Sequence, residues 1–447
     1  MPPPRSAKII KQREQSFDDT FSLAVKTEES AEKWVTRDEP KAQRFFIQAI
    51  ELYQKCCKLL PLDFDSLYNL ARAHFGLSQL KLNSPEEQSG ILESAIYLHR
   101  AAIKLQEHTD AVFNLAGCLS SLAEAVEECG DFSRSRALLL ESISLLEKCL
   151  FMQEKEINSR SITADQSEDD VQIAGDHDGG DEKMELEQTA TIIEPITSDA
   201  LLDTILALVE SRCRLLTLNH RTNRLDSQDL QYPDLTLLNK VEILSQETSR
   251  TDEYHLARAE LLSYRTLLQL YSQQGTLEVV DQAIKLFDLP HNSVPAQCNK
   301  ADFLVDLSNY LASNGSPAKS WTYLAAAATS LKFATASKPT IFALWETSGN
   351  VELLRARLAI EASTRNITTL LKNAKVFFQY AIDHCKVERL STNLKVKLAM
   401  ILVELADPKS MEILSGFSQN KSLLERIVLD SIQEGLFPAD MYNTFMA

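Results

Sequence analysis

Glycine and proline are scarce in this chain, at 12 and 14 of 447 residues, well under their usual shares of about 7% and 5%. Too few turn formers remain for the many short strands of a sandwich or barrel, so helix is the expected element throughout. Long apolar runs are missing too. No stretch reaches the roughly 18 uninterrupted apolar residues of a membrane span, and the opening Met1-Pro2-Pro3-Pro4-Arg5 leads into no apolar signal core. The eight cysteines, at 56, 57, 118, 129, 149, 213, 298 and 385, form no CxxC pair and do not gather near histidines. That pattern argues against a zinc site or a disulfide framework and for free, mostly buried thiols in a reducing compartment, cytoplasmic or nuclear. In such a compartment the Asn-x-Ser/Thr matches at Asn314, Asn366 and Asn420 carry no weight as glycosylation sites.

Catalytic motifs are equally absent. Histidines stand at 74, 99, 108, 177, 220, 255, 291 and 384, never as HExxH and never with a closely spaced second ligand. There is no phosphate loop or dinucleotide-binding glycine fingerprint, and contexts such as Ser348-Gly349 lack a nucleophile elbow. The expectation is a non-enzymatic protein with no cofactor and no metal. A formal charge of -17 argues against nucleic acid, whose phosphates need a basic surface, and for a basic protein partner of the ribosomal-protein or histone kind.

What the chain does contain is a recurring order of small and large apolar residues. Ala49, Tyr53 and Cys56 are followed by Pro61 and by Leu67-Tyr68-Asn69-Leu70-Ala71. The order returns as Ala95, His99 and Ala102, followed by Val112-Phe113-Asn114-Leu115-Ala116, and again as Ser135, Leu139 and Ser142 after Gly130-Asp131-Phe132. Beyond the middle of the chain, Ser320, Leu324 and Ala327 repeat it after Gly315, and Ala374, Phe378 and Ala381 repeat it once more. A small residue lets two helices approach, and the large residue four positions on fills the groove of the next hairpin. These segments resemble tetratricopeptide repeats, although Asn69 and Asn114 lie 45 residues apart where the usual period is about 34. The resemblance implies an all-α, superhelical stack of antiparallel helix hairpins, a TPR-like solenoid. Residues 199–221, 234–248, 252–274 and 276–288 read as further amphipathic helices with a degenerate signature. Leu423, Leu424, Ile427, Val428 and Ile432 mark a final helix that caps the stack.

One segment breaks the pattern. Residues 161 to 190 hold ten acidic residues, one lysine and no aromatic residue, so no hydrophobic gain offsets the entropy of ordering them. The expected organisation is a flexible tail over 1–25, an N-terminal TPR-like block over 26–157, a disordered acidic loop over 158–198, and a degenerate TPR-like block over 199–447. Asp176, Asp178 and Glu187 fit three places of a calcium loop, but Gly180 and Asp181 occupy places that demand a ligand and a glycine.

Candidate binding residues follow from the repeats and the loop. Asn69 and Asn114 occupy equivalent places on successive first helices, with Arg72 one turn from Asn69. The resemblance implies a test here, because some tetratricopeptide domains of heat-shock cochaperones grip a C-terminal carboxylate with asparagines and paired basic residues. The segment from Thr109 to Cys129 has no lysine or arginine, which leaves such a clamp incomplete. Glu168, Asp169, Asp170, Asp176, Asp178, Asp181 and Glu182 are the candidate contacts of the loop, attracting a basic client over roughly one Debye length of about 8 Å. The function this implies is a protein-binding scaffold, adaptor or dedicated chaperone. The alternative is a stable subunit of a larger intracellular complex, docked through an apolar surface in the C-terminal block.

Overall fold

The computed structural model describes residues 16–80, 84–168, 196–222, 224, 235–272, 277–290, 293–417 and 421–446. Every regular element among them is an α-helix, and the chain divides into two compact units, residues 1–224 and 225–447.

The first unit contains α1 (Phe17–Trp34), α2 (Glu39–Leu59), α3 (Phe64–Ser78), α4 (Pro85–Leu105), α5 (Thr109–Glu128), α6 (Phe132–Glu168) and α7 (Ser198–Arg221). Its helix starts are written into the sequence. Ser16, Asp38, Asp63, Ser84 and Thr197 each accept a backbone N–H of the first turn, and Ser84 with Glu87 forms a reciprocal capping box. Gly130, at φ 84°, ends α5 in the left-handed conformation that glycine adopts without strain, while the Asp131 N–H returns to the Val126 carbonyl at 3.0 Å. Each helix packs on the next, and α1 also touches α3, α3 touches α5, and α5 touches α7. The first helices of successive hairpins therefore lie side by side in one layer, and the second helices cover them. This is the tetratricopeptide type of hairpin stack.

The second unit contains α8 (Leu235–Glu247), α9 (Thr251–Tyr271), α10 (Leu277–Leu286), α11 (Val294–Ser313), α12 (Pro317–Ser337), α13 (Phe342–Arg357), α14 (Glu361–His384), α15 (Glu388–Glu404), α16 (Lys409–Ser415), α17 (Lys421–Gln433) and α18 (Met441–Met446). Sequential packing recurs here, and α9 touches α11 while α15 touches α17.

The small, large, small triplets form the buried spine of the second helices. All fifteen residues, on α2, α4, α6, α12 and α14, are at most 1% exposed. Ala327 is fully buried and Ala326 and Ala328 are packed against the same cluster, so the alanine run belongs to the interior of the stack.

Three boundaries differ from the sequence expectation. The tail expected over 1–25 gives way to helix at Phe17, because Ser16 caps it, Asp18 and Asp19 complement its dipole, and Ala24 is fully buried. Helix α6 continues to Glu168, eleven residues into the expected loop, whose remainder up to residue 195 lies outside the described residues. Helix α7, expected in the C-terminal block, packs on α6: Arg136 Nε donates to Asn219 Oδ1 at 2.9 Å, Arg212 pairs with Glu147 at 2.7 Å, and Leu218 joins Ala123 and Leu139 in one cluster. The acidic segment thus connects two helices that pack together, and the division between units falls after it. At the far end α17 buries Leu424, Ile427 and Val428 against a cluster that also takes in Phe437, Met441 and Phe445, so α18 follows the helix expected to be last.

Candidate partner-binding surfaces

Asn69, Arg72 and Asn114 come together in the layer of first helices of the first unit. Asn69 Oδ1 accepts from Arg72 Nη1 at 3.2 Å, and Asn114 Nδ2, from α5, donates to the Tyr68 hydroxyl of α3 at 2.9 Å. Arg72 also lies 3.6 Å from Glu28 and 3.4 Å from Glu32 of α1. Glu28 is buried and accepts the Tyr53 hydroxyl at 2.7 Å; burial raises its pKa against the lowering effect of Tyr53 and Arg72. Arg72, the cation that a clamp would need, is thus held by two carboxylates. No basic residue on α5 joins it. Arg214 reaches α5 from α7, where it donates to the Ser120 carbonyl at 3.2 Å and hydroxyl at 2.9 Å. Asn114 accordingly bridges α5 to α3, whereas the side-chain bonds of Asn69, to the Asp65 carbonyl and from Arg72, stay within α3.

Of the loop candidates, Glu168 is the last residue of α6. Asp169, Asp170, Asp176, Asp178, Asp181 and Glu182 lie outside the described residues.

A surface that sequence reasoning missed stands in the second unit. Asp302, Asp306 and Tyr310 follow one another at four-residue steps along α11, one face of the helix, while Leu304, Leu307 and Leu311 pack inward. Tyr310 meets Tyr271 of α9 edge to face at 5.2 Å, and Tyr271 is 40% exposed. Both aspartates are solvent-accessible, yet protein crowds them enough that desolvation raises their pKa values. Asp302 rises above the ordinary carboxylate range, and Asp306 is raised to about 6, with the charge of Asp302 adding to the effect. Among the described residues no lysine or arginine forms an ion pair with either. The Asp-x-x-x-Asp-x-x-x-Tyr spacing is visible in the sequence, but its meaning depends on Tyr271, which arrives from another helix.

A further surface carries an aromatic group, of which Tyr380 is exposed and Trp345 and Phe377 are half-buried. Trp345 of α13 stacks on Tyr380 of α14 at 4.9 Å and tilts against Phe377 at 5.9 Å. Beside them Ile341, Val376 and Tyr380 are 41%, 50% and 47% exposed. Among the described residues no group of three His, Cys, Asp or Glu side chains is placed to hold a metal ion, and no helix is long and apolar enough to cross a membrane.

The hairpin order and the buried triplets define a helical-repeat protein of the tetratricopeptide type. No family model matches the sequence. The UPF0656 protein C926.02 of Schizosaccharomyces pombe is 24% identical over 450 residues, covering 93% of this chain and 95% of that protein. Among solved structures, the S. pombe nuclear import adaptor Nro1 is 10% identical with a TM-score of 0.32, over 90% of this chain and 100% of that one. Yeast Tom70 is 13% identical with a TM-score of 0.35, over 94% of this chain and 70% of that one. The chain's own helix pairing, and not these superpositions, carries the assignment.

Proposed function

We propose that this protein is a non-enzymatic adaptor, scaffold or dedicated chaperone that holds a basic segment of a partner protein on the first-helix layer of its repeats. The observation that carries this reading is the α9 and α11 surface. Two solvent-accessible carboxylates with raised pKa values, unpaired by any lysine or arginine among the described residues, stand next to the exposed ring of Tyr271 and the half-buried ring of Tyr310. An arginine would suit both, pairing with Asp302 or Asp306 while stacking on Tyr271 or Tyr310. The acidic stretch that includes Glu168, Asp169, Asp170, Asp176, Asp178, Asp181 and Glu182 would speed encounter with the same ligand. Asn69, Arg72 and Asn114 are proposed to shape the corresponding layer of the first unit. Cytoplasm and nucleus are the proposed sites of action.

The test is fluorescence anisotropy of the full chain with a labelled arginine-glycine repeat peptide and with its glutamate-glycine counterpart. The arginine peptide is expected to bind. The double variant Asp302→Asn, Asp306→Asn should weaken it by at least tenfold, and deletion of 161–190 should slow association with a smaller effect on dissociation. Equal affinity of the double variant and the wild type would remove α11 from the reading. Preference for the glutamate peptide would overturn the basic client.

A second reading, a stable subunit of a larger complex, is favoured by the surface where exposed Tyr380, Ile341 and Val376 adjoin the half-buried Trp345 and Phe377, because contiguous exposed apolar side chains mark protein contacts. It requires the isolated chain to self-associate and the double variant Trp345→Ala, Tyr380→Ala to run as a monomer in size-exclusion chromatography.

A further inference from the structure

At the large position of the triplet, α2, α6, α12 and α14 carry Tyr53, Leu139, Leu324 and Phe378; α4 carries His99. The imidazole is fully buried, and among the described residues neither ring nitrogen has a hydrogen-bond partner. Its neighbour is the ring of Tyr68, met edge to face at 5.8 Å, and the Tyr68 hydroxyl takes the Asn114 hydrogen bond that links α3 to α5. Histidine here fills the place of an apolar side chain, and a buried polar group left unpaired carries the full cost of its desolvation.

We propose that His99 is an acid-sensitive latch in the packing of α3, α4 and α5: the neutral ring seals the joint, and protonation opens it and loosens the link between Tyr68 and Asn114. Among the described residues no acidic side chain pairs with the imidazole to receive the charge. From α3 it is faced by the Tyr68 ring and by the positive charge of Arg72, which opposes protonation. From α5, Asp110 acts on Tyr68 and not on the imidazole. From α6, Arg134, Glu141 and Lys148 are occupied by Glu93, Arg100 and Glu107. Burial, followed by Arg72, accordingly lowers the His99 pKa from 6.5 to about 4.

The sign follows by linkage. Between pH 6.5 and 4 the unfolded chain binds a proton that the folded chain refuses. The packing is at full strength above pH 6.5 and weakens as pH falls towards 4. At pH 5 the folding equilibrium constant should be reduced by about 30-fold relative to pH 8.

The experiment is hydrogen exchange of the full chain at pH 8 and pH 5, read on peptides from α3 to α5 and corrected for intrinsic rates, with peptides from α11 to α14 as the reference. Wild type is expected to lose about 30-fold more protection in α3 to α5 than the variant His99→Leu, which places there the side chain used in α6 and α12. If that variant does not fold, His99→Phe takes its place, with the side chain of α14. Equal pH dependence in wild type and variant overturns the latch, as does a loss of protection confined to α11 to α14.

Discussion

Gly76 and Gly349 lie inside helices and face phenylalanine rings. A Cβ built on Gly349 would come within 2.6 Å of Phe378, and one on Gly76 within 2.5 Å of Phe46. Both rings are buried, so they cannot swing aside into solvent. Gly349→Ala is expected to destabilise the protein by about 1–3 kcal/mol, overpacking outweighing the gain of about 1 kcal/mol in helix propensity. Gly90 in α4 meets nothing within 4 Å, so Gly90→Ala should stabilise by up to about 1 kcal/mol. Chemical denaturation of the two variants checks the opposite signs, and destabilisation of both would show that α4 depends on the missing side chain. Tyr53→Phe is a different kind of loss. It leaves the buried Glu28 without its hydroxyl donor, at an expected cost of about 1–3 kcal/mol, and Tyr53→Phe with Glu28→Leu should recover most of it.

Between α4 and α6 the outer layer carries a ladder of opposite charges. Glu93 pairs with Arg134, Arg100 with Glu141 and Glu107 with Lys148, each across a separation of 41 residues. Successive rungs are seven residues apart, about two helical turns along α6 and from Glu93 to Arg100 in α4, with Glu107 two residues beyond the end of α4, so α4 and α6 run parallel in one fixed register. Exposed pairs contribute little individually, about 0.2–1 kcal/mol each, but alternation of sign along the ladder penalises a slip by a single rung. A double-mutant cycle on Glu93 and Arg134 by charge reversal should give a coupling of about 0.5 kcal/mol in low salt, and almost none at 1 M, where the Debye length is about 3 Å. A coupling that survives 1 M salt would mean that the pair is desolvated, contrary to its exposure. The ladder was present in the sequence as three opposite-sign pairs at one offset. It had no meaning until the triplets at 95 to 102 and 135 to 142 were known to lie on neighbouring second helices.

Across the whole chain, what could be read in advance was whatever local spacing encodes. The triplets around Tyr53, His99, Leu139, Leu324 and Phe378 identified the second helices because small and large side chains must alternate at helical spacing to pack. Helices α7 to α10 fell within three residues of their expected ends, since apolar periodicity is also local. The Asp302, Asp306 and Tyr271 surface was illegible because its parts meet only after α9 and α11 pack. The allegiance of α7 was misread for a related reason: an abrupt change of composition looks like a boundary between blocks, whereas here it is the connection of a hairpin. That difference gives opposite expectations for two truncations. If α7 completes the first unit, residues 1–224 should unfold in one cooperative transition. Residues 1–157, which end where composition changes, should melt lower or aggregate, because Ala123 and Leu139 lose Leu218 and Arg136 loses Asn219. Circular dichroism melts of both fragments decide it. Equal helicity per residue and equal midpoints would mean that α7 adds nothing to the first unit, and would return the boundary to the acidic segment.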